Sequence, residues 1–201
     1  DTDIDMWLVI SREYNEDPVM RTMLPARWLN ARRRTILVFY RDKAANTIEK
    51  LAVARYDVGE NITSAWDKEK QPDQWQRLVE IIEERNPEKI AVNYSKHFGI
   101  ADGLVHTDFE ELKEALPANL ESKLVSAEKL AIGWIETRTA MEMELYNTLV
   151  EVTHNIIDVL QQSDYPRNHH YRQCGVVDAP KSDRYGAGNM VSPYGRCATQ
   201  Q

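Results

Sequence analysis

Met6-Trp7-Leu8-Val9-Ile10 and, farther on, Arg34-Thr35-Ile36-Leu37-Val38-Phe39-Tyr40 decide the fold. Each is a short apolar run, and the length and the share of β-branched and aromatic residues read as buried strands. The polar stretch Lys43 to Asn46 follows the second run. A third strand then spans Ile48 to Tyr56, with Leu51 and Val53 on one face. Two β-rich runs joined by a short polar loop predict an antiparallel hairpin. Between the first two strands, Asp17-Pro18 opens a short helix, because proline suits a first helical turn. Pro25 ends or kinks it.

Farther out the pattern changes period. Pro72 to Arg85 is an amphipathic helix, with Trp75, Leu78, Val79 and Ile82 in an i, i+3, i+4, i+7 stripe. Asn86-Pro87 ends it, and Ile90-Ala91-Val92-Asn93 follows as a strand, so that helix then strand predicts a crossover unit. Thr107-Asp108-Phe109-Glu110 has the form of a capping box for a helix to about Leu116. Lys123 to Ser126 reads as a last strand. Thr139-Ala140-Met141-Glu142 is a second capping box, ahead of a long helix to about Gln162 with Leu145, Leu149, Val152, Ile156 and Val159/Leu160 at helical spacing. The expected fold class is α/β: a mixed β-sheet flanked by helices, followed by one long helix and a poorly structured tail.

The chain has 201 residues and carries a net charge of −7. That length buries a core without disulfides or structural metal. An acidic surface repels phosphate, so neither nucleic acid nor an anionic membrane is expected as a partner. No apolar run approaches the roughly 20 residues of a membrane span. The expected location is cytoplasmic. Asp1 stands where Met would begin a chain, which marks a processed or cut N-terminus and leaves export open. Both cysteines, Cys174 and Cys197, lie near the C-terminus, so there is no disulfide framework.

Candidate chemistry is sparse. His97 and His106 flank Gly99-Ile100-Ala101-Asp102-Gly103-Leu104, and two histidines with an aspartate can bind metal or exchange protons. Their spacing matches no tight ligand motif; the simpler reading is a strand-to-helix loop whose glycines take positive φ. Arg32-Arg33-Arg34 reads as a solvated strand entrance rather than a phosphate site, and Trp7, Trp28, Trp66, Trp75 and Trp134 as core or interface rather than a stacking platform. His169, His170 and Cys174 have soft-ligand chemistry but no core around them. Gly186-Ala187-Gly188 lacks the strand and helix of a nucleotide loop. From the residues alone, the chain shows no catalytic constellation.

A family resemblance adds what spacing cannot. Met6 to Pro18, Arg32 to Phe39, Ala54-Arg55-Tyr56-Asp57-Val58-Gly59, and Asn93-Tyr94-Ser95 with Ala101-Asp102-Gly103-Leu104 resemble the N-terminal domain of creatinase-like and Xaa-Pro aminopeptidase (pita-bread) proteins. Glu136-Thr137-Arg138-Thr139, with Glu142, resembles the linker and first helix of their catalytic domain. The resemblance implies a relative with two divalent, manganese-like metals held by two Asp, one His and two Glu in the catalytic domain, acting on proline-containing peptides or, in creatinase-like cousins, on other substrates. None of those ligand motifs stands in this chain. No cofactor and no catalytic residue is therefore expected here, and the chain alone is expected to be inactive. The family's N-terminal domain supports oligomerisation and walls the active site, often a neighbour's. By that analogy, His97, Asp102 and His106 are candidate substrate-wall residues, and a homodimer or higher homo-oligomer is expected.

The implied organisation is a creatinase-like domain over 1–130, the linker and first catalytic-domain helix over 131–163, and a tail over 164–201 outside the family pattern. The tail holds no Leu, Ile, Phe or Trp, which leaves too little apolar surface to offset ordering, so disorder is expected. Back-translation adds a reason for the break. Met190-Val191 forces a Trp codon in the shifted frame, and neighbouring junctions allow a family-like continuation, as a one-base shift near Ser163 would produce. Two readings follow: a non-catalytic domain of an Xaa-Pro aminopeptidase-like metallopeptidase, or a free-standing interaction domain pairing with itself or a full-length paralogue.

Overall fold

A computed structural model describes residues 2–162. The chain divides into two compact units, Asp1–Ala140 and Met141–Gln201. The first is an α/β domain on a six-stranded mixed sheet, ordered β4-β3-β2-β1-β5-β6. Its strands are β1 (Met6–Arg12), β2 (Arg34–Asp42), β3 (Thr47–Val53), β4 (Thr63–Ser64), β5 (Ile90–Val92) and β6 (Leu124–Ser126). The hairpin expected from the polar loop is present: β2 and β3 pair antiparallel, with Asp42 opposite Thr47. β1 sits at the centre, antiparallel to β2 and parallel to β5.

The alternation of β1 divides the core in two. Met6, Leu8 and Ile10 point to one face, where Ile36, Val38 and Val53 meet α2 (Gln74–Arg85), α3 (His106–Ala115) and α4 (Ala118–Glu121) through Leu78, Ile82, Leu112 and Leu120. Trp7 and Val9 point to the other, where Leu37 and Ala52 meet α1 (Pro18–Met23) and α5 (Glu128–Glu136) through Val19, Met20 and Ala131. Both faces are therefore covered, which is why β1 reads as continuously apolar rather than alternating.

The helix ends follow local chemistry. Asp17 caps α1, its side chain accepting from the amides of Val19 and Met20. Asp73 does the same for α2, whose stripe of Trp75, Leu78, Val79 and Ile82 is wholly buried. Asn86 closes α2 in the left-handed region at φ 41°, a conformation asparagine tolerates. The capping box expected at Thr107 does not form. α3 starts two residues earlier, with Val105 at the cap position and no side-chain cap bond. Asp108, inside the first turn, is turned instead toward an arginine of β1. The helix gains the dipole benefit of that acid without a reciprocal cap.

The second unit begins within α6 (Ala140–Gln162), which starts directly after Thr139 as expected and runs for 23 residues. Residues 131–136 belong to α5 and so to the first unit. Residues 164–201, with His169, His170, Cys174, Cys197, the Gly186–Gly188 stretch and the expected shifted frame, lie outside the described residues. Among the described residues no helix is long and apolar enough to cross a membrane.

Ile82 is fully buried between α2 and the central strands. Ile82→Ala is expected to lower unfolding free energy by about 2–5 kcal/mol, measured by urea denaturation. A loss under half of that would mean that the α2 face is not the principal core.

Candidate functional site

The loop between β5 and α3 carries His97 and Asp102, with His106 the first residue of α3, and its anchor is a buried polar chain beneath it. Trp7 Nε1 donates to Asn93 Oδ1 at 2.8 Å, and Asn93 Nδ2 donates to Asp17 Oδ2 at 2.9 Å. The other oxygen of Asp17 accepts from the amides of Val19, at 2.7 Å, and Met20, at 3.2 Å. The Asp17 amide donates to Ser11 Oγ at 3.0 Å. One carboxylate thus ties together β1, the start of α1 and the end of β5. Burial pushes it above its ordinary pKa, partly opposed by the hydrogen bonds from Asn93, Met20 and Val19.

Gly103 explains how the loop reaches this anchor. The glycines here were expected to take positive φ; among the described glycines only Gly59 does, at 68°. Gly103 is required for a different reason. A Cβ at this position would overlap the Asp17 carboxylate and lie 2.8 Å from Pro18 Cδ. The loop backbone therefore lies directly against the α1 cap, and Leu104 N donates to the Asn93 carbonyl at 3.0 Å. Gly99 has open space around it and begins a single 3₁₀ turn, Gly99–Ala101.

Above this anchor, His97, Asp102 and His106 are all exposed. Ser95 organises the turn: its Oγ accepts from the amides of His97, at 3.1 Å, and Phe98, at 2.8 Å, and donates to Glu128 of α5 at 2.5 Å. Asp102 accepts from the Ser95 amide at 3.2 Å. Neither histidine side chain makes a hydrogen bond or ion pair among the described residues. Tyr94, Phe98 and Ile100 are exposed on the same loop. The loop and the first residue of α3 thus present two imidazoles, a carboxylate and three apolar side chains to solvent. Among the described residues, no three His, Cys, Asp or Glu are grouped to hold a metal ion.

A second polar cluster was not foreseen from the sequence. Register sets Arg12 of β1 directly opposite Arg34 of β2, an arrangement that repels unless acids intervene. Two acids of α3 do so. Asp108, with no exposed surface, takes a fork from Arg12 Nε and Nη2 at 2.7–2.9 Å and a longer contact from Arg34 at 3.4 Å. Glu111 pairs with Arg34 and accepts from Trp75 Nε1 at 2.8 Å. These contacts, led by the Trp75 hydrogen bond, hold Glu111 below the usual glutamate range. Arg34 also stacks over Trp75 at 4.3 Å. It is therefore not part of a solvated entrance. The signal that could have revealed this cluster is the cross-strand pairing of two arginines, which appears only once the register is known.

Neither a protein-family model nor a curated protein matches this chain.

Two predictions separate anchor from surface. Gly103→Ala is expected to destabilise the domain by about 1–3 kcal/mol, as an overpacked interior site does. His97→Ala is expected to stay within about 0.5 kcal/mol of wild type, as an exposed site does. Thermal and urea unfolding of both variants checks this. The pH dependence of Asp17 has a defined sign. A raised folded pKa means that the native state favours the protonated acid. Its contribution is full below the unfolded value of about 3.9 and is lost as pH rises through the elevated folded value. The stability difference between Asp17→Asn and wild type should therefore move in favour of the variant from pH 3 to pH 7, as read by denaturant midpoints. A difference that stays flat would place Asp17 at an ordinary pKa.

Proposed function

We propose that the α/β unit is the non-catalytic N-terminal domain of an Xaa-Pro aminopeptidase-like metallopeptidase, serving oligomerisation and walling an active site built elsewhere. The observation that carries this reading is α6. It starts at Ala140, within the stretch that resembles the entry to the catalytic domain, and exposes Leu145, Leu149, Val150, Val152, Ile156, Ile157, Val159 and Leu160. A helix that is apolar around so much of its circumference suits the interior of a larger core. The loop bearing His97 and Asp102, with His106 at the start of α3, supports the wall role, since it offers polar and apolar groups on a backbone pinned at Gly103 and Ser95. The two divalent metals of such a relative would activate water and polarise a carbonyl. The described residues of this chain supply no ligand set for them.

The same exposed helix also favours the second reading, a free-standing domain that pairs with itself or a full-length paralogue. The purified chain is expected to release no N-terminal residue from an Xaa-Pro peptide in the presence of Mn²⁺. In size-exclusion chromatography with light scattering it should run as a dimer or larger, and Leu149→Glu with Ile156→Glu should return it to a monomer. Mn²⁺-dependent release of the N-terminal residue would overturn the non-catalytic assignment. A dimer that survives both glutamates would place the pairing in the α/β unit and remove the support that the exposed helix lends to the free-standing reading.

A further inference from the structure

We propose that the concavity at the open end of β1, β2 and β3 is a binding site for a small oxyanion, a phosphate or carboxylate group carried by a soluble ligand. The depression has a volume of about 410 Å³ and is lined by Arg12, Arg32, Arg33, Arg34 and Arg55 with Glu13, Tyr56, Trp66 and Gln74. Its size falls in the range of small-molecule sites. Five arginines converge here on a chain whose net charge is −7.

Strand register brings two of them together. Arg12 lies opposite Arg34 in β1 and β2, and Arg55, two residues past the end of β3, joins them in the lining. Two strand arginines and one from the segment that follows β3 thus face one depression. Asp108 and Glu111 neutralise the first two from behind. Nothing of the kind serves Arg55, nor Arg32 and Arg33, which are exposed and form no ion pair among the described residues. Glu13 is the one acid in the lining, and its carboxylate accepts from the Arg33 amide at 3.3 Å. Counting Glu13, Asp108 and Glu111 against the five arginines leaves an excess of two positive charges.

The free arginines are positioned without being neutralised. Arg32 lies over Trp28 at 5.5 Å and Arg55 over Trp66 at 5.9 Å, contacts that orient a guanidinium and leave its hydrogen-bonding edge available. Arg33 holds a left-handed backbone at φ 54°, which costs free energy for a side chain of its size. Two backbone contacts with Glu13 keep it there, including Glu13 N to the Arg33 carbonyl at 2.7 Å. Planar forks of N–H donors match the paired oxygens of carboxylate and phosphate. Trp66 and Tyr56 supply flat walls for whatever carries the anion.

The test is a titration of the full chain with sodium phosphate and, separately, with sodium citrate. Binding is followed by the arginine Nε–H and Trp66 indole resonances, with chloride as the ionic-strength control. Saturable shifts centred on Arg32, Arg33, Arg55 and Trp66 are expected with at least one probe, and the tighter probe identifies the ligand as phosphate- or carboxylate-bearing. Substituting R32Q, R33Q and R55Q together should weaken that binding by about tenfold or more, since a single charge-assisted hydrogen bond accounts for that much. The single variant R55Q should act in the same direction, which covers failure of the triple variant to fold. Removing three exposed charges that are not part of the lining, K50Q, K96Q and K129Q, should change binding by less than about twofold. Shifts that never saturate with either probe, or an equal loss in the lysine variant, would overturn the site.

Discussion

The carboxylate of Asp17 is the constraint on which the first unit depends. It is buried, it caps α1, and through Asn93 it reaches the indole of Trp7 in the central strand. β1, the start of α1 and the residue after β5 are oriented by one side chain, and the loop at Gly103 lies against it so closely that no side chain fits. Burying a charge of this kind is unfavourable unless its oxygens are satisfied. Here each oxygen has donors, and the remaining cost appears as a preference for the protonated form. Such a group specifies geometry more than it contributes stability.

The arginine row across β1 and β2 follows from a similar logic at the other end of the strands. Like charges in register require acids, and α3 provides them on its inner face at Asp108 and Glu111. This requirement fixes how α3 docks. The first turn of that helix goes without a side-chain cap because Val105, at the cap position, carries no side-chain oxygen.

What could be read from the sequence was what depends on neighbours along the chain. β1, β2, the hairpin loop, the stripe of α2 and the Asp17-Pro18 start each carry a period or a cap within a few residues, and all are present. Elements without such a signal were missed. β4 has two residues, α4 has four, and α5 lacks a side-chain cap. In the candidate loop and at the start of α3, the exposed positions of His97, Asp102 and His106 fit a reading as surface groups, but the reason for Gly103 lies in Asp17, more than eighty residues earlier. The role of Asp108 lies in a strand register. Neither relation leaves a local trace, because each is a contact between segments that meet only after folding.

The sheet itself narrows how the first unit can meet other chains. Its strands shorten outward, from nine residues in β2 to two in β4 at one edge and three in β6 at the other. An unpaired edge is a template for strand addition, and a short edge offers few backbone groups to copy. Strand addition is thus disfavoured at β4 and β6 by their length, whereas β4 covers β3 only at Leu51 and Ala52. The stretch of β3 beyond that cover, Thr47 to Lys50, carries Glu49 and Lys50, so charge rather than brevity guards that part of the edge.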